Sequence, residues 1–189
     1  MQVIEAIISR RTKRKFLNKK VESEKLKYII ECARFTPTGA NLQALKYAII
    51  EREDLVNEIF PLTKWSGYHP EDAPDESQQP PSYIAILGDK NIKPGGDFET
   101  DAGAAGTIIL LAAEEMELSA CWLGAISRKE ISEVLGLDEN LSLLYLIALG
   151  YSDQKSRVVL QKDGIKYYTD EDGVLNVPKR SLDEILINI

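Results

Sequence analysis

The chain has 189 residues, 44% of them hydrophobic and 28% charged, with a net charge of -7. That balance suits a single folded domain over residues 1–189, with a core of ordinary size, and excludes a disordered chain. The acidic charge argues against general nucleic-acid binding, and a single histidine, His69, argues against a histidine-rich metal site or a Ser-His-Asp triad.

Residues 2–9 carry Ile4, Ile7 and Ile8 at helical spacing, which predicts a short amphipathic helix. No long apolar run follows a basic start, so no signal peptide is expected and the chain reads as cytoplasmic. Arg10 to Lys15 then puts five positive charges into six residues, ahead of Phe16. Three readings fit: a solvated basic loop, a nuclear-localisation or nucleic-acid patch, or a phosphate cradle. In an extended segment Arg10, Thr12, Arg14 and Phe16 share one face. Two guanidiniums and a hydroxyl there suit a phosphate, which Arg binds by charge-assisted bonds.

A second helix is predicted at about 23–35, with Leu26, Ile29, Ile30 and Ala33 on one side. Thr36–Gln43 is a loop of turn residues. Asn41 either caps that turn or, with Gln43, offers donors and acceptors to a polar ring edge. Leu45–Ile50 reads as a strand, and Asp54 to about Thr63 as a short helix with Leu55, Ile59 and Phe60 inward. Gly67–Pro81 holds four prolines and reads as a lid, a binding loop or a disordered connector. Trp65 and Tyr68 at its start either fold over a pocket or pin the segment to the core.

Tyr83–Gly88 is a buried strand by composition. Asp101–Ala113 reads as a helix that is apolar all round, and at this length it falls short of the roughly 20 residues that span a membrane. It is therefore expected to be a central core helix, with Gly103 and Gly106 forming a small face for another helix. Ser119–Gly124 is a short strand ending at glycine. Ser127–Glu130 matches a capping box, with Gly136 as the helix stop. Leu143–Leu149 is a further core strand. Lys162-Asp-Gly164 and Glu171-Asp-Gly173 are turn signals, and Ser181–Glu184 is a second possible capping box. Cys32 and Cys121 lie in apolar runs and read as free thiols. No metal site is read, and neither GxGxxG nor GxxxxGK occurs.

Three stretches in register resemble the FMN-dependent nitroreductase family: Arg10–Phe16, Ala33–Gln43, and Asp101–Ala105 running on to Cys121–Gly124. Leu149–Tyr151 and Val177–Arg180 extend the likeness over nearly the whole chain. The resemblance implies an α+β fold, a mainly antiparallel sheet flanked by helices. It also implies a homodimer with two flavin pockets at the interface and the central helix in the contact. Carried over by residue, Arg10, Arg11, Thr12 and Arg14 would hold the phosphate and ribityl chain of FMN. Pro37, Thr38, Asn41 and Gln43 of the second subunit would touch the ring, and Leu123 and Gly124 would offer backbone at its reactive edge. Arg157 would close over the phosphate, with Lys155 competing for that role.

Ala44-Leu45 stands where many members have Pro-Trp, and no helical lid insertion is recognised. The implied activity is oxidation of NAD(P)H or another donor, with electrons passed to an electron-poor small molecule. No catalytic side chain is nominated, because hydride chemistry resides in the cofactor. The alternatives are a flavin-binding protein without turnover and an interaction domain with a basic arm. No nucleic-acid or membrane partner is expected.

Overall fold

The computed structural model describes residues 2–162 and 164–187. Strand β2 (Ser82–Asp89) is buried at all eight positions, so both of its faces and both of its edges must be covered. It lies inside a four-stranded sheet with β1 (Leu45–Ile50), β3 (Ser119–Leu123) and β4 (Leu141–Gly150), in the order β1-β2-β4-β3. Every neighbouring pair is antiparallel, with one register shift between Ile86 and Leu87. Alternation divides the core in two. Ile84 and Ile86 face helices α2 (Ser23–Ala33) and α4 (Glu99–Glu115), while Tyr83, Ala85 and Leu87 face α3 (Glu53–Ile59), α5 (Arg128–Val134) and Phe16.

Helix α4 is covered on one side only. Ala102, Ala105, Gly106, Ile109 and Ala113 are buried, whereas Gly103, Ala104, Ile108 and Leu111 are half-buried. An all-round apolar helix therefore keeps an open flank within one chain. The two glycines also serve different ends. A β-carbon at Gly106 would lie 2.0 Å from the Trp122 ring, while one at Gly103 would meet nothing within 4 Å. Gly106 thus admits an indole, not a second helix. Helix α1 (Val3–Ser9) repeats the pattern: Ala6 is buried, but Ile4, Ile7 and Ile8 are 67%, 55% and 64% exposed.

Other boundaries differ from expectation. The helix after β1 ends at Ile59 and tightens into a 3-10 turn over Phe60–Leu62; Val56 and Ile59 point inward while Leu55 and Phe60 are half-buried. The Ser127 side chain caps nothing, although Gly136 (φ 59) stops α5 as expected. Gly67–Pro81 is irregular apart from short 3-10 turns at Pro70–Asp72 and Glu76–Gln78. Beyond β4 a small sheet, absent from the sequence reading, joins β5 (Ser156–Leu160), β6 (Tyr168–Thr169) and β7 (Leu175–Lys179) in the order β5-β7-β6. Its β5–β7 pair is parallel. Asp163, in one of the expected turns, lies outside the described residues. Ser181 does bond the Glu184 carboxylate, but only a turn follows.

Among the described residues no helix is long and apolar enough to cross a membrane, and no cluster of side chains could hold a metal ion.

Candidate functional site

The basic segment is extended, and β3 is the reason. Thr12 pairs in parallel with Ala120, and Lys13 N–H donates to the Ala120 carbonyl at 3.1 Å, along the open edge of the strand. On the other side, Arg14 N–H donates to Gln154 Oε1 at 3.0 Å and the Ser152 hydroxyl to the Lys15 carbonyl. Phe16 is buried, so the segment enters the core there.

The five cations are not equivalent. Arg11 folds back and donates to the carbonyls of Ile8 and Arg10, closing the C-terminal end of α1. Burial pulls its pKa down, with Glu114 opposing. Lys13 is spent on the Gln154 carbonyl, and its pKa is likewise lowered, chiefly by burial. Arg10 and Arg14 are half-buried and, among the described residues, carry no carboxylate partner. In an acidic chain, two unpaired guanidiniums beside a hydroxyl are fit to take an anion.

Arg157 is already engaged. Its Nε donates to Asn176 Oδ1 and its terminal nitrogen to Asp170 Oδ2, both at 2.7 Å, which ties β5 to β7. Lys155 is exposed, and its carbonyl accepts the Leu175 N–H. The residues that meet the basic segment from this region are Ser152 and Gln154, to which the sequence reading assigned no role.

The Thr36–Gln43 loop is a separate construction. Ala40, Asn41 and Gln43 all have positive φ (50, 54 and 52), a conformation that costs a side-chain-bearing residue about 1–2 kcal/mol. Besides its own backbone turns, two bonds to side-chain oxygens hold it there: Gln43 N–H to Thr38 Oγ1 and Gly39 N–H to Asp101 Oδ1, each 3.1 Å. Asp101 is buried in the first turn of α4, with Lys93 at 4.0 Å. Pro37, Asn41 and Gln43 are exposed; Thr38 and Gln43 line a cavity of about 250 Å³ with Ile30, Leu45 and Tyr47.

Leu123 ends β3 and Gly124 follows it. Leu123 is buried, Gly124 exposed, and Gly124 lies against Tyr145, whose hydroxyl donates to Glu99. From Ala120, opposite Thr12, to Gly124 is about 13 Å of strand at roughly 3.3 Å per residue. One elongated molecule could lie along that edge, its anionic end at the arginines.

The arrangement has a geometric consequence. Ser9 and the basic segment meet α4 at its C-terminal end, where Ser9 Oγ donates to Glu114 at 2.7 Å. The Thr36–Gln43 loop meets α4 at its N-terminal end, through Asp101. Along the helix those points are about 20 Å apart at 1.5 Å per residue.

Cys121 offers no nucleophile. Burial pushes its thiol up to about 11.

The nitroreductase family model matches residues 7–151. A curated relative, the NADPH-flavin oxidoreductase of Vibrio harveyi, is 25% identical over 170 residues, covering 82% of this chain and 68% of that protein. Among solved structures, the FMN-dependent nitroreductase of Clostridium difficile R20291 has a TM-score of 0.67 at 25% identity, covering 89% of this chain and 93% of its own. A structure from Desulfovibrio desulfuricans in complex with FMN reaches a TM-score of 0.74 over 100% of this chain and 97% of its own; at 24% identity it speaks for the fold alone.

Proposed function

The chain belongs to the nitroreductase family, and from that premise we propose an FMN-dependent oxidoreductase that passes electrons from NAD(P)H, or another donor, to an electron-poor small molecule such as a nitroaromatic or a quinone. Bound FMN supplies the hydride chemistry; the chain supplies binding, orientation and electrostatics.

In this reading the 189 residues act as one FMN-binding domain. Arg10 and Arg14 hold the phosphate and Thr12 the ribityl chain, while Leu123 and Gly124 offer backbone to the ring. Arg11 keeps the segment in place by closing α1. Arg157 would have to release Asp170 before it could reach the phosphate, so it is left out of the resting site.

Pro37, Thr38, Asn41 and Gln43 reach the ring from a second copy. The observation that carries this is the separation of the two groups to opposite ends of α4. Two copies related by a two-fold axis, with α4 antiparallel to its mate, bring the loop of one to the arginines of the other. The half-buried flank of α4 and the exposed isoleucines of α1 supply apolar surface for that contact.

The test is anaerobic mixing of the flavin-loaded protein with NADH, NADPH and reduced ferredoxin. One of them should bleach the flavin absorbance, and a nitroaromatic or quinone should restore it. A protein that takes up no FMN, or whose flavin no donor bleaches, overturns the reading.

A further inference from the structure

One aromatic side chain links the basic segment to the start of Gly67–Pro81. The Arg14 guanidinium carbon lies 4.6 Å from the centroid of the Tyr167 ring. The same ring has Tyr68 at 5.2 Å and His69 at 5.9 Å, centroid to centroid. The Tyr167 hydroxyl faces Tyr68 N–H at 3.5 Å, and two residues on Thr169 Oγ1 donates to Asp72 at 3.3 Å. Three parts of the chain that are distant in sequence therefore meet on one ring: the basic segment, the start of Gly67–Pro81, and the strand-linking turn before β6.

A guanidinium on a flexible stem loses rotamer freedom whenever it grips an anion. An aromatic face that already holds it removes part of that cost, by cation–π attraction and by excluding other rotamers. Among the described residues, Arg14 is the one cation of the basic segment that stacks on a ring, and it carries no carboxylate partner there. The stacking therefore orients a charge that is still free to bind.

We propose that Tyr167 is a positioning residue for the anion site, holding Arg14 ready for the phosphate and coupling its occupancy to the order of residues 67–72. The proposal rests on the reading of Arg14 as a phosphate ligand. Because Tyr167 acts through Arg14, its removal matters only while Arg14 is present. Because the same ring carries Tyr68 and His69, a bound phosphate that fixes Arg14 also steadies residues 67–72.

The experiment is a double-mutant cycle on FMN affinity, read by quenching of flavin fluorescence, with hydrogen exchange of residues 67–72 measured with and without FMN. Tyr167→Leu should weaken FMN about three- to fivefold, the scale of one cation–π contact at a part-exposed site. Tyr167→Phe keeps the ring and should stay within twofold of the wild type, which guards against a variant that simply fails to fold. In an Arg14→Ala background, Tyr167→Leu should add no further loss. FMN should slow exchange at 67–72 in the wild type and not in Tyr167→Leu. Equal losses from Tyr167→Leu in both backgrounds, or FMN protection of residues 67–72 without the ring, would overturn the proposal. Unchanged affinity in Arg14→Ala alone would overturn the phosphate assignment beneath it, a distinguishable result.

Discussion

Gly106 and Trp122 are fitted so closely that a β-carbon at 106 would lie 2.0 Å from the indole. Alanine in a helix interior ordinarily gains about 1 kcal/mol over glycine. Here overpacking, at about 1–3 kcal/mol, works against it, and the indole is itself held edge-on by Tyr145 at 5.0 Å. Gly106→Ala should therefore lower the urea midpoint, whereas the same change at an unobstructed helical glycine raises it.

Gly103 gives the contrasting outcome. Its β-carbon would meet open space, so Gly103→Leu should leave the fold of one chain intact. The bulk would fall on the flank assigned to the second copy. Sedimentation velocity at micromolar concentration should show the variant as monomer, with FMN lost, and the wild type as dimer. A flavin-loaded wild-type monomer would refute the composite site.

Among the cations of the basic segment, Arg10→Ala and Arg14→Ala should each weaken FMN about tenfold or more, since hydrogen bonds to a charged group contribute about 1.5–3 kcal/mol. Arg11→Ala should change FMN affinity by less than about threefold, because its guanidinium is committed to the Ile8 and Arg10 carbonyls. Its loss should appear instead as fraying of α1 in hydrogen exchange. Fluorescence titration of all three separates anion ligands from structural cations.

Donor and acceptor that share the space beside one ring bind in turn, so double-reciprocal plots should be parallel, the mark of ping-pong kinetics. Shortening residues 71–76 to a Gly-Ser link should then change acceptor KM more than FMN retention. The trim has to stop before Gln78, whose carbonyl accepts the Phe16 N–H at 3.0 Å and so supports the basic segment. Intersecting lines would mean that both substrates are bound together.

Alkaline pH should destabilise the fold through Cys121. Burial raises its thiol from an ordinary 9.0 to about 11, so the unfolded chain ionises first. Stability is full below about pH 9 and declines as pH rises towards 11, by about 2–3 kcal/mol at most. Tyr47, raised by burial to about 12, adds a similar decline further up. Urea midpoints from pH 8 to 11 should fall less steeply in Cys121→Ala than in the wild type.

The sheet was legible because β2 and β4 are continuous apolar runs, and α4 because no polar residue interrupts Ala102–Ala113 beyond Thr107. Period and composition do not say which partner lies opposite. Gly106 therefore looked like a helix-packing residue, and Ser127 like a cap, although its hydroxyl caps nothing. The small β5-β7-β6 sheet was missed because its strands are two to five residues long and half exposed, too short for alternation to stand out. Arg11 and Arg157 are plain cations in the sequence. Only the fold reveals that Ile8, Arg10 and Asp170 already engage them. Tyr167 gave no signal at all, since its meaning depends on Arg14 and Tyr68, which lie far off in the chain.

The pairing of Thr12 with Ala120 has one more consequence. β3 is an outer strand, and an uncovered outer strand is a template on which other chains can add. The stretch that guards it carries five like charges in six residues, which repel one another and favour its release. On the proposed assignment, a bound phosphate dianion would relieve that repulsion and seal the guard in place. Cofactor-free protein should therefore precipitate sooner than loaded protein, and more so at low salt, where repulsion is least screened. On the proposed assignment, colloidal stability and cofactor binding would thus rest on the same few residues.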